Sequence, residues 1–104
     1  MYTLVGRTRE VVELLRETQA RARLEPGCVG YAFAEVVADP GRYVVIQEWR
    51  DDAALRAHYA SDALQAYQAR VGPLAARPSD VRIHRVAHTL HPLDPGPMDP
   101  RTAD

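Results

Sequence analysis

The sequence contains no lysine; all thirteen basic residues are arginine. No side-chain amine is therefore available for Schiff-base or lysine-nucleophile chemistry. The single cysteine, Cys28, excludes an internal disulfide and any cysteine-based metal site. Neither sign of charge is in excess: the formal net charge is −1, too little to hold a phosphate backbone, and no nucleic-acid partner is expected. No apolar run approaches the roughly 20 residues that cross a bilayer. No charged start followed by a long apolar stretch marks a leader. The expectation is a cytoplasmic protein without a membrane partner. A glycine-rich phosphate loop is also missing, so no nucleotide or flavin cofactor is expected.

The residues that are present suit one small globular domain. The 104 residues are 46% apolar and 26% charged. A chain of this size buries only about 60–65% of its unfolded surface. Empty space for a substrate is easier to enclose between two subunits than inside one, which favours a homodimer.

A short strand is predicted at Tyr2 to Val5, ended by Gly6 and Arg7. Thr8 is a candidate N-cap for a helix over about 9–23, with Val11, Leu14, Leu15, Thr18 and Ala22 at helical spacing. Pro26 and Gly27 stop it. A strand over Val29 to Ala38, the turn Asp39-Pro40-Gly41-Arg42 and a strand over Tyr43 to Trp49 make an antiparallel hairpin. Asp51 or Asp52 caps a second helix carrying Ala54, Leu55, His58 and Tyr59, and Ser61-Asp62 marks a re-capped break before Leu64, Tyr67 and Val71. Leu74 to Ala76 suits a short helical turn, and Val81 to Leu90 reads as the last strand. The domain thus covers 1–90. The tail from His91 to Asp104, with four of the eight prolines, is either disordered or an arm laid on a partner.

Strand, helix, strand, strand, helix, strand is the order of an α+β, ferredoxin-like fold: a four-stranded antiparallel sheet with helices on one face. Along the second hairpin strand Tyr43, Val45, Gln47 and Trp49 point one way, and Val44, Ile46 and Glu48 the other. Both sets hold apolar residues, so the face without helices calls for a cover, and pairing of two sheets supplies one.

Three runs of residues carry a resemblance. Leu24-Glu25-Pro26-Gly27-Cys28-Val29-Gly30-Tyr31, Asp39-Pro40-Gly41-Arg42-Tyr43-Val44-Val45-Ile46, and Trp49 followed by Ala53-Ala54-Leu55, His58 and Ser61 resemble the antibiotic biosynthesis monooxygenase (ABM) family over about 10–86. The resemblance implies a dimeric α+β barrel. It also implies an activity among the family's cofactor-independent monooxygenases, which act on quinols and aromatic polyketides. The chain departs from subgroups of the family. Haem-degrading members carry Trp where His58 stands, a haem-ligating His where Gln68 stands, and an Asn on strand one that has no counterpart. A haem cofactor is therefore disfavoured. Polyketide oxidisers carry Asn at the place of Val45 and Tyr at that of Leu55; only their Trp matches, as Trp49. Gln47 stands where Glu is frequent.

Histidine is the side chain whose unperturbed pKa lies nearest physiological pH, so His58, beside Leu55 on the apolar face of its helix, can act as a general base toward a phenol; equally, it can be a buried histidine that positions the helix. Trp49 offers a flat wall and an N–H donor, or is a core residue. Tyr31 and Tyr67 can donate to a quinone oxygen or simply pack, and Leu55 adds an apolar wall. His84 and His88 share a face if the last strand is unbroken, but no third ligand is in register, so no metal is expected. Cys28 is expected to be a small buried group. The leading functional expectation is oxidation of a small electron-rich aromatic by dioxygen without cofactor. The alternatives are a non-redox isomerase or cyclase on the same fold, and a binding module without catalysis.

Overall fold

The computed structural model describes residues 1–4 and 6–92. Its elements are β1 (Tyr2–Thr3), α1 (Thr8–Ala22), β2 (Cys28–Glu35), β3 (Tyr43–Trp49), α2 (Asp52–Tyr59), α3 (Asp62–Val71) and β4 (Ala75–Arg77), with a 3₁₀ turn at Gly72–Leu74 before β4. The hairpin β2–β3 is antiparallel, with Tyr31 opposite Gln47 and Phe33 opposite Val45. β1 pairs antiparallel with β4. An isolated bridge between Tyr2 and Arg42 ties the two ladders into the order β2-β3-β1-β4. The Tyr43 N–H donates to the Met1 carbonyl (2.7 Å) and the Thr3 N–H to that of Gly41 (2.9 Å) at the same junction. This is the α+β ferredoxin-like fold.

The helices cover one face because α1 presents an apolar stripe: Val11, Leu14, Leu15 and Ala22 are buried and Thr18 is half-buried. The core joins Val11 and Leu15 to Tyr43 and Leu74, with Met1, Val12, Phe33 and Tyr67 packed around them. α1 also covers the outer edge of β2. The Gln19 amide oxygen accepts from the Phe33 N–H (3.2 Å), and Arg23 donates to the Tyr31 carbonyl (2.9 Å). Strand groups that would otherwise be open to another chain are thus satisfied. On the face away from the helices, Ala32 opposes Ile46 and Ala34 opposes Val44; Ile46 is 70% exposed.

The structure corrects three expectations. The last strand is Ala75–Arg77, not Val81 to Leu90; residues 78–92 form neither helix nor strand, and Val81, Ile83 and Val86 are exposed. β1 is only two residues long and so offers a short ladder, and Pro78 immediately after β4 has no N–H to extend it. His84 and His88 therefore share no strand face. The helical turn falls at Gly72–Leu74, two residues earlier than expected, because Ala75 is already extended. The N-cap of α1 is Arg7 rather than Thr8, with no side-chain cap; Arg7 instead pairs with Glu10 in the first turn (2.9 Å). Val5 and most of the proline-rich tail, 93–104, lie outside the described residues.

Candidate active site around His58

Two side-chain caps aim His58 inward. The Asp51 carboxylate accepts the Ala54 N–H at 2.9 Å and starts α2. That contact also holds the Asp51 carboxyl below its ordinary range. Ser61 accepts the Leu64 N–H at 3.2 Å, which starts α3, and its hydroxyl donates to the His58 carbonyl at 2.7 Å. Between these points Ala54 and His58, one turn apart, share the buried face of α2.

His58 is only 3% exposed. Its Nδ1 lies 2.8 and 3.1 Å from the two carboxylate oxygens of Glu25. Its Nε2 is fully buried and has no hydrogen-bond partner among the described residues. The ring is enclosed by aromatic groups. Trp49 lies 4.7 Å away between centroids, tilted by 31°, and Tyr31 and Tyr59 approach edge-on at 5.6 Å each. Tyr31 in turn contacts Phe33 (5.6 Å), and Phe33 contacts Tyr67 (6.1 Å). Burial pushes the Tyr31 hydroxyl far above its ordinary pKa, with Tyr67 and Glu25 adding to the effect. Burial raises that of Tyr67 to about 12. Both tyrosines remain protonated donors near neutral pH and cannot serve as bases.

The structure thus gathers His58, Trp49 and Tyr31, and links Tyr67 to them through Phe33. It separates Leu55, which lines an open cleft of about 490 Å³ with Arg56, Tyr59, Ile83 and the Asp52–Arg85 ion pair (2.9 Å). Tyr59 borders both regions. The Trp49 N–H, one candidate donor to a ligand on the sequence alone, donates to the Gln47 side-chain oxygen at 3.0 Å. The void beside the imidazole, walled by Thr18, Ala22, Glu25, Ala63 and Leu64, holds about 10 Å³, room for at most one water. Cys28 is half-buried, and burial raises its thiol pKa.

Glu25 was missed as a site residue. The two partners are 33 positions apart, and no periodicity links a loop carboxylate to a helix histidine. The available signal was its place in the Glu25-Pro26-Gly27 turn, already part of the family resemblance. Among the described residues no group of three His, Cys, Asp or Glu side chains gathers as a metal site, and no helix is long and apolar enough to cross a membrane.

A four-stranded antiparallel sheet covered on one face by helices is the subunit fold that the resemblance implied. The chain belongs to the antibiotic biosynthesis monooxygenase family, whose profile matches residues 2–70. YcnE of Bacillus subtilis, provisionally named a monooxygenase, is 31% identical over 72 residues, covering 66% of this chain and 76% of its own. The Synechocystis protein sll1783 is 29% identical over 68 residues; the match takes in 65% of this chain but only 46% of that relative. The solved structure of Rv0793 from Mycobacterium tuberculosis superposes with a TM-score of 0.71 at 26% identity, covering 83% of this chain and 90% of its own.

Proposed function

We propose that the protein is a cofactor-independent monooxygenase acting on a small electron-rich aromatic, a quinol, naphthol or polyketide-like phenol, with His58 as its general base. The observation that carries this reading is the buried imidazole with a carboxylate on Nδ1 and no partner on Nε2 among the described residues, set among Trp49, Tyr31 and Tyr59. Nε2 takes the phenolic proton, and the resulting anion passes one electron to dioxygen. The aryloxyl and superoxide radicals then join in a carbon–oxygen bond. The peroxide breaks at its O–O bond, leaving one oxygen on the ring carbon as a carbonyl. The other leaves as water with the proton that was removed and the hydrogen of that carbon. The substrate is the only reductant. The protein contributes orientation, exclusion of water and proton transfer. Trp49 and Tyr31 supply ring contacts, and Tyr67 bounds the far side of the cluster. A ring substrate exceeds the void beside His58, so binding requires its walls to part.

The proposed working unit is a homodimer closed by the Ala32, Ala34, Val44 and Ile46 face, which no element of the described chain covers. Protein-dependent oxygen uptake with hydroquinones and naphthols, corrected for autoxidation, tests the reading. His58→Ala is expected to lower it by about 10²–10⁴, the usual worth of a general base. Uptake equal to wild type in that variant removes the assignment. The reading of the protein as a binding module is favoured by one observation: a ligand-sized cleft lies at Leu55 and Tyr59, and His58 is not among its lining residues. It predicts thermal stabilisation by aromatics that are recovered unchanged.

A further inference from the structure

We propose that Glu25 is the positioning residue of the site, holding His58 in the tautomer that leaves Nε2 as a free lone pair. The inference rests on the reading of His58 as the base.

Both ends of the ring select the same tautomer. A carboxylate can only accept, so the 2.8 Å contact needs a proton on Nδ1. A proton on Nε2 would be a buried donor without an acceptor among the described residues, which loses its hydration with no bond gained in return. The orientation is fixed as well. Trp49 packs against the imidazole at a 31° tilt, and a half-turn of the ring would set a carbon against Glu25 in place of Nδ1. His58 commits Nδ1 to Glu25 and leaves Nε2 without a partner among the described residues, the pattern of a base with an orienting carboxylate.

The backbone delivers Glu25, rather than a reach of its own side chain. The Glu25 N–H donates to the Ala22 carbonyl (3.0 Å), and the Glu25 carbonyl accepts from Cys28 (3.1 Å). The Gly27 carbonyl accepts the Arg50 N–H at 2.8 Å, which pins the turn to the end of β3. Gly27 lies at φ +81° against Ala54, one helical turn before His58 on α2. The turn and the histidine are therefore held on the same stretch of helix.

The test is nitrogen NMR of the imidazoles in the full chain, with the His58 signal assigned by its loss in His58→Gln, alongside oxygen uptake. In wild type, Nδ1 is expected to carry the proton and Nε2 the lone pair. Glu25→Gln, whose amide can accept or donate, is expected to mix the two tautomers and to lower kcat on the order of 10²-fold with KM little changed. A wild-type His58 protonated on Nε2 overturns the proposal without need of any variant. So does a folded Glu25→Gln protein with the wild-type tautomer and rate. If no quinol or naphthol supports uptake while the tautomer behaves as stated, the monooxygenase reading fails and the positioning role stands.

Discussion

Gly27 and Ala54 stand so close that no methyl group fits between them: a Cβ on Gly27 would lie 2.5 Å from that of Ala54. The same glycine sits at φ +81°, where a side chain costs about 1–2 kcal/mol. Overpacking a closed contact costs about 1–3 kcal/mol more. Gly27→Ala is therefore expected to be the most destabilising of three alanine substitutions at positive φ. Gly41→Ala meets only the Thr3 hydroxyl at 3.2 Å, and Gly6→Ala meets nothing within 4 Å. Urea midpoints should fall in the order Gly6, Gly41, Gly27, the last lowest. Equal losses at all three would show that the Ala54 contact is not tight.

Buried tyrosines set the alkaline limit. The Tyr67 pKa rises from 10.0 to about 12 in the fold, and that of Tyr31 rises further. Between these values the native state retains protons that the unfolded chain releases, so the stability contributed is full below pH 10.0 and is lost as pH climbs through about 12. Wild type is expected to lose denaturant resistance steeply over that interval, with tyrosinate absorbance appearing together with unfolding. Tyr67→Phe should flatten the loss. An unchanged slope in that variant would remove Tyr67 as its cause.

The open sheet face carries the third prediction. With Ile46 opposite Ala32 and Val44 opposite Ala34, a carboxylate at the centre of this face would be stranded in a closed dimer. Wild type is expected to sediment as a dimer, and Ile46→Asp as a folded monomer with unchanged far-ultraviolet dichroism. A monomeric wild type at micromolar concentration would leave the face without its proposed cover.

Much of this architecture was legible in the sequence. The stripe of Val11, Leu14, Leu15 and Ala22 announced α1, and Asp39-Pro40-Gly41-Arg42 announced the hairpin, because local spacing and turn chemistry decide both. Asp51 and Ser61 were readable as caps for the same reason. Val81 to Leu90 was not read correctly. Its alternation suits a strand, but a strand also needs an edge to pair with, and two-residue β1 supplies none at that distance. Of the site, the inward face of His58 was legible from its helix, whereas the approach of Trp49 and Tyr31 to its ring was not. The Glu25 contact depends on how a loop meets a helix, and the removal of Leu55 to a separate cleft depends on where residues 83–85 pass. Neither relation has a period that a sequence could display.

The joint at Ser61 has a mechanical consequence. His58 rides on α2, whereas Ala63 and Leu64, across the void from it, ride on α3. The two walls belong to different helices joined by Ala60 and Ser61, and the Ser61 hydroxyl grips the last turn of the first and the first turn of the second. A few degrees of rocking at that pivot would change the room beside the imidazole without unwinding either helix. Admission of a ring would then depend on the stiffness of a hinge rather than on the ordering of a loop.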